Sequence, residues 1–229
     1  MLVLTCKVGW CYYRSVDDII GFEPEILQPI KGIAKLCPAV NNVFKNAYIL
    51  RSPFDIQLHF NGFVDGETSI ELIKSGSSVT DEKLLDVISI HTSKEQIFQD
   101  KPLLEFLINM VFVTDTKGIE IEQLPPFLEY RPDNYPVVFS SVRFNIYNWE
   151  RPMQLALSWM DVTKDITIKR GDPLCYIRFN KDIKLEQIPL KPELKKHIVN
   201  NLSAQHFLGG YSDYIMRRAG LSRKHKWLS

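Results

Sequence analysis

The sequence predicts a mainly β chain: an antiparallel β-sandwich or jelly-roll-like barrel, with a short helix in its N-terminal half and helices at its C-terminus. Three observations carry that expectation. Apolar residues recur at every second position in several short runs, which is the period of a strand with one buried face. Prolines at 125, 126, 132, 136, 152 and 173 punctuate the second half too often for long helices. Helical signals are few, the clearest being Pro192 to about Asn201, with Leu194, Ile198 and Leu202 four apart.

Taken in order, Pro38 to Asn46 reads as a short helix with proline near its first turn and Val40, Val43 and Phe44 on one side. Phe54, Ile56, Leu58 and Phe60 then alternate with Asp55, Gln57 and His59. Four apolar groups therefore face a core, and Gln57 on the other face should tolerate Glu. Asp65-Gly66-Glu67 is a turn, because Asp-Gly is a strong turn pair, and Ile70 and Leu72 around Glu71 form a weaker strand. Thr80-Asp81-Glu82-Lys83 starts a helix only in part, since Lys83 is not the Glu or Gln of a capping box. Val87 to Ile90 is a short β-branched run.

Ile108–Val113 and Ile119–Glu122 read as the two arms of a hairpin, with Asp115-Thr116-Lys117-Gly118 between them and Gly118 at positive φ. Val137–Phe139, Val142–Tyr147 and Met153–Trp159 follow as strands. Ile166–Ile168 leads through Lys169-Arg170-Gly171-Asp172-Pro173 into Leu174–Phe179, with Pro173 at a strand start or an edge. Pro192 to about Asn201 is the clearest helix, and Gly209-Gly210 separates it from a second piece at Tyr211–Arg218. The expected organisation is a mainly β domain over 1–190 and a helical extension with a basic tail over 191–229, packed on the same domain.

Composition narrows the function classes. A chain of 229 residues hides roughly 70% of its unfolded surface and needs no disulfide or metal to do so. A net charge of +1 with 24% charged residues is neither that of a disordered chain nor that of a protein coated with basic charge for nucleic acid. Cys6, Cys11, Cys37 and Cys175 contain no CxxC pair and read as reduced, mostly buried thiols. The N-terminal run lacks the basic flank and length of a signal peptide, and no stretch approaches a membrane span. A soluble cytoplasmic protein without membrane contact is the expectation.

Motifs that carry chemistry are missing. There is no G-x-S-x-G elbow, no Walker A loop and no dinucleotide fingerprint. None of His59, His91, His197, His206 and His225 opens an H-x-[DE] or H-E-x-x-H pattern, so no metal and no cofactor is expected from spacing. His59 on a polar strand face reads as a solvated imidazole, and Glu120 and Glu122 as outward charges on a strand. Cys175 lies in an apolar run, where a thiol is inert.

One asymmetric feature is the tail. Arg217, Arg218, Arg223, Lys224 and Lys226 put five cations into eleven residues beside Trp227. Such a segment can neutralise phosphates while the ring stacks on an unpaired base. The ordinary alternative is a solubilising tail, or one docked on an acidic face of its own domain.

Two blocks also carry a resemblance. Cys37-Pro38-Ala39-Val40-Asn41-Asn42-Val43-Phe44-Lys45-Asn46-Ala47-Tyr48-Ile49-Leu50-Arg51-Ser52-Pro53-Phe54-Asp55 is one. Arg143 to Pro152 followed by Lys169 to Phe179 is the other. Together, over roughly 37–60 and 137–185, they resemble an uncharacterised protein family of T4-like tailed phages, including marine and cyanobacterial ones. That resemblance implies a viral context, with the host cytoplasm as location, and no assigned activity. Gly171-Asp172 is also faintly similar to the closing turn of the dUTPase and dCTP-deaminase β fold, although Cys175-Tyr176 replace its Ala-Gln pair. That similarity implies a β hairpin within an antiparallel jelly-roll-like fold, and it lends no support to pyrophosphatase chemistry.

The functional expectation is a phage accessory protein that binds an unknown protein or nucleic-acid partner without turnover. Two alternatives stand beside it. One is an enzyme, an iron-dependent oxygenase or nucleotide-directed hydrolase, whose site is assembled from dispersed side chains in the sheet cavity. The other is nucleic-acid binding through the basic tail.

Overall fold

The computed structural model describes residues 5–13, 24–26, 37–39, 45–65, 67–91, 98, 100–127, 136–148, 150–203 and 228. It is a mainly β, sandwich-like arrangement that does not close into a barrel. Fourteen strands are described: β1 Cys6–Tyr12, β2 Pro24–Ile26, β3 Ala47–Arg51, β4 Ile56–Val64, β5 Glu67–Leu72, β6 Ile88–Ile90, β7 Leu103–Val113, β8 Glu120–Leu124, β9 Val137–Phe139, β10 Val142–Asn145, β11 Pro152–Trp159, β12 Ile166–Ile168, β13 Pro173–Phe179 and β14 Ile183–Gln187. Among the described residues they are accompanied by the α-helices α1 Asp81–Val87 and α2 Pro192–Ser203 and by short 3-10 turns at Lys74–Gly76 and Ile146–Asn148.

A six-stranded sheet has the order β14-β1-β7-β11-β9, with β6 also paired to β7. The long β7 is flanked along one edge by β11, and along the other by β1 and then β6. A five-stranded sheet runs β10-β8-β13-β3-β2, and a three-stranded sheet runs β12-β4-β5. Pairing is antiparallel throughout except between β1 and β14, which are parallel, with Cys6 opposite Ile183 and Trp10 opposite Gln187.

The six-stranded sheet packs its inner face against both smaller sheets. Val8, Trp10, Leu104, Phe106, Ile108, Met110, Phe112, Leu155, Leu157 and Trp159 share one core with Leu50, Ile177 and Phe179 of the five-stranded sheet. The same core takes in Ile56, Leu58, Ile166 and Ile168 of the three-stranded sheet. Ring contacts mark the seam: Phe112 to Phe179 at 6.0 Å, Phe54 to Phe106 at 6.3 Å and Phe60 to Trp159 at 5.9 Å. Each such buried side chain contributes about 1.5–3 kcal/mol, so this seam supplies much of the fold's stability.

The opposite face of the six-stranded sheet is covered by α2. Leu194 and Ile198 pack on Cys11, Val111 and Val113, with Ile188, Leu190 and Leu228 around them. Gly9 makes room there, since a Cβ on it would lie 2.6 Å from Cδ2 of Leu228 and 2.9 Å from Cδ1 of Ile188. The Leu228 backbone N–H donates to Oδ2 of Asp115 at 3.0 Å.

The alternation read over 54–60 holds: Phe54, Ile56 and Leu58 are fully buried and Phe60 packs against the core, although the strand itself starts at Ile56. The helix at 81–87 forms with Thr80 as its N-cap and no side-chain capping bond, in keeping with the incomplete capping signal. Of the helix read at Pro38–Asn46, Pro38 and Ala39 are helical and Lys45 and Asn46 form a turn, while 40–44 lie outside the described residues. The piece at Tyr211–Arg218 lies outside the described residues.

Both long-range hairpins are corrected. Gly118 does hold φ 71° and Gly171 φ 84°, so the turns are real. Their arms, however, enter different sheets. β7 pairs with β1, β6 and β11 while β8 pairs with β10 and β13, and β12 pairs with β4 while β13 pairs with β3 and β8. A turn reverses the chain without choosing its partner. The nearly unbroken burial of β7 on both faces is the mark of a central strand between two neighbours and beneath a covering helix, which a simple hairpin arm lacks.

Candidate functional site

Because Ile56 and Leu58 of β4 point inward, Gln57 and His59 project from the outer face of the three-stranded sheet. β12 pairs antiparallel with β4, Ile166 opposite Leu58 and Thr167 opposite Gln57, which brings the preceding residue, Asp165, beside His59. Nδ1 of His59 lies 2.8 Å from Oδ1 of Asp165, and Nε2 of Gln57 donates to Oδ2 at 3.0 Å. Both carboxylate oxygens are thus engaged. These bonds, that of His59 foremost, hold the Asp165 carboxyl below its ordinary range against the opposing effect of burial.

The loop that delivers Asp165 is itself pinned. The buried Trp159 donates its indole N–H to the carbonyls of Asp161 at 3.1 Å and Lys164 at 3.0 Å. On the other side, the Gln57 backbone N–H donates to Oγ of Ser77 and its carbonyl accepts from Ile73, both at 2.9 Å. Gly76 sits against the Gln57 side chain. Glu71 of β5 stands in register opposite His59 and adds a second carboxylate to this face.

An ionised carboxylate only accepts hydrogen bonds, so Nδ1 of His59 is the donor, and Nε2 carries the lone pair whenever the ring is neutral. With 50% of the His59 side chain and 30% of that of Asp165 exposed, the pair is open to a partner. It can accept a hydrogen bond or a proton at Nε2 in a geometry fixed before anything arrives.

The position of His59 was legible from its place on the polar face, but its environment was not a free, solvated one. The contact of Asp165 with His59 and Gln57 went unread, because it depends on a register between strands distant in sequence. Glu120 and Glu122 are paired rather than merely solvated, Glu120 with Arg143 at 3.5 Å and Glu122 with Arg178. His91 faces Glu105 at 3.2 Å and His197 faces Glu150 at 3.4 Å. Cys175 is fully buried, and burial pushes its thiol well above the ordinary range and that of Cys11 up to about 11.

Among the described residues no three His, Cys, Asp or Glu side chains meet as metal ligands would, and no helix is long and apolar enough to cross a membrane. The tail residues Arg217, Arg218, Arg223, Lys224, Lys226 and Trp227 lie outside the described residues. Comparison with protein-family models finds no match, and comparison with curated proteins finds no significant similarity.

Proposed function

We propose that this chain is a phage accessory protein that acts by binding a protein partner, without turnover, through the outer face of the three-stranded sheet and the β4–β5 hairpin. The observation that carries the reading is the chain of bonds from Gln57 to Asp165 to His59, which orders exposed polar side chains in advance. Side chains already fixed lose less entropy on association. At the far end of the same hairpin Phe63 and Val64 are 38% and 60% exposed, with Phe63 edge-on to Phe60 at 5.3 Å. Apolar tip and polar face together have the character of a protein-binding surface, and the carboxylates of Asp165 and Glu71 disfavour a phosphate backbone. The viral context is supported by the resemblance over 37–60 and 137–185.

The test is recovery of a partner from phage-infected cells on immobilised full-length chain, followed by titration of that partner against variants. His59→Ala and Val64→Asp should each weaken the complex, while the remote Lys184→Ala should leave it unchanged. A complex indifferent to both substitutions would remove the reading.

A second reading is favoured by the same dyad. Imidazole held by a carboxylate at Nδ1 is the arrangement of a general base, which would make the outer sheet face, not the interior, the place of an enzymatic site. Turnover of any substrate that is abolished by His59→Ala at unchanged binding would choose it over the first.

A further inference from the structure

The interior of the sandwich contains one polar side chain that its surroundings do not explain. Gln123 is 1% exposed, and neither Nε2 nor Oε1 of its amide has a hydrogen-bond partner among the described residues. The buried hydroxyls of Ser52 and Thr114, by contrast, are answered: that of Ser52 donates to the Phe54 carbonyl at 2.7 Å and that of Thr114 to the Lys7 carbonyl at 2.8 Å.

Its direction follows from the strand. Along β8, Ile121 and Gln123 are buried while Glu120, Glu122 and Leu124 are half-buried, so Gln123 shares the inward face with the core residue Ile121. Its neighbours in register are Ile177 of β13, which is fully buried, and Val142 of β10, which is 40% exposed and lies on the edge strand. The amide therefore points between the sheets, one strand in from the rim.

A carboxamide so placed offers two N–H donors and two acceptor lone pairs with nothing apolar able to meet them. Leu or Met of similar volume would fill the position without that penalty, and a charged ligand would be far costlier there than a neutral one. We propose that Gln123 anchors an internal solvent site, one or more ordered waters held between the sheets at the β8–β10 rim and bonded to both ends of its amide. Water is the ligand that fits: small, uncharged, and both donor and acceptor, as buried waters in polar niches are. Exchange with bulk solvent would proceed past the edge strand β10, where Val142, opposite Gln123, is 40% exposed.

Two measurements on the full-length chain test this. A high-resolution crystal structure should show water within hydrogen-bonding distance of Oε1 and Nε2 of Gln123. In solution, the Gln123 side-chain amide, identified by its loss in Gln123→Met, should show a cross-relaxation peak to water with the sign of a long-lived site. Absence of water at both atoms in the crystal, a direct bond from another side chain, or density for an organic molecule would each overturn the proposal. So would an amide without such a peak.

Discussion

A Cβ on Gly76 would fall 2.1 Å from Oε1 and 2.9 Å from Cβ of Gln57, so these two residues share a space that only glycine leaves open. Oε1 ends a side chain that can swing away, but Cβ of Gln57 is fixed by the strand. Gly76→Ala should therefore displace the Gln57 amide from Asp165 and cost about 1–3 kcal/mol, the range of overpacking. Urea denaturation of a double-mutant cycle checks the cause: in a Gln57→Gly background, which removes Cβ along with the amide, the cost of Gly76→Ala should largely vanish. Equal costs in both backgrounds would dissociate Gly76 from the site.

Asp165 predicts a pH dependence. A carboxyl whose folded value is depressed contributes stability above the unfolded value of about 3.9, and that contribution is lost as pH falls through the folded value. Asp165→Asn should be less stable than the parent at neutral pH, and the gap should close in acid. Urea midpoints at pH 7 and near pH 2 measure it, and a gap that widens in acid contradicts the assignment.

The two faces of β4 should answer charge differently. Leu58→Asp puts a carboxylate into a fully buried position between Ile166 and Leu72 and should abolish soluble protein. Gln57→Glu, which the alternation alone makes harmless, should instead destabilise modestly, because it replaces a donor to Asp165 with a second acceptor carrying like charge. Full tolerance of Gln57→Glu at neutral pH would show that the Gln57–Asp165 bond contributes nothing.

Gly118 holds φ 71° where the chain passes from one sheet to the other, and a Cβ there would meet nothing closer than Nζ of Lys181 at 3.5 Å. Any cost of substitution is thus backbone strain alone. Gly118→Val should destabilise by about 1 kcal/mol or more and Gly118→Asn by less, since asparagine adopts the left-handed region more readily. Thermal unfolding of the two variants separates them, and equal melting temperatures would argue against strain.

The sequence made the fold class readable because burial in strands leaves a local trace, as at Phe54–Phe60. It left unread β1, where Gly9 interrupts Val8 and Trp10, and β14, whose apolar alternation is only two residues deep at Ile183 and Leu185. It also misassigned the arms at Gly118 and Gly171, since choice of strand partner is a property of side-chain packing across the core. The site was half readable for the same reason. His59 sits in a pattern, whereas Asp165 reaches it only through the pairing of β12 with β4.

The parallel pairing of β1 with β14 has a consequence for the order of folding. During synthesis β1 can meet β7 early, but its outer edge stays unpaired until almost the whole of the described chain has left the ribosome. Closing so long a loop is slow and entropically costly, so the last event in assembling the six-stranded sheet is the arrival of β14. Until then a nascent chain carries an open strand edge, and its vulnerability to aggregation should be concentrated at residues 6–12.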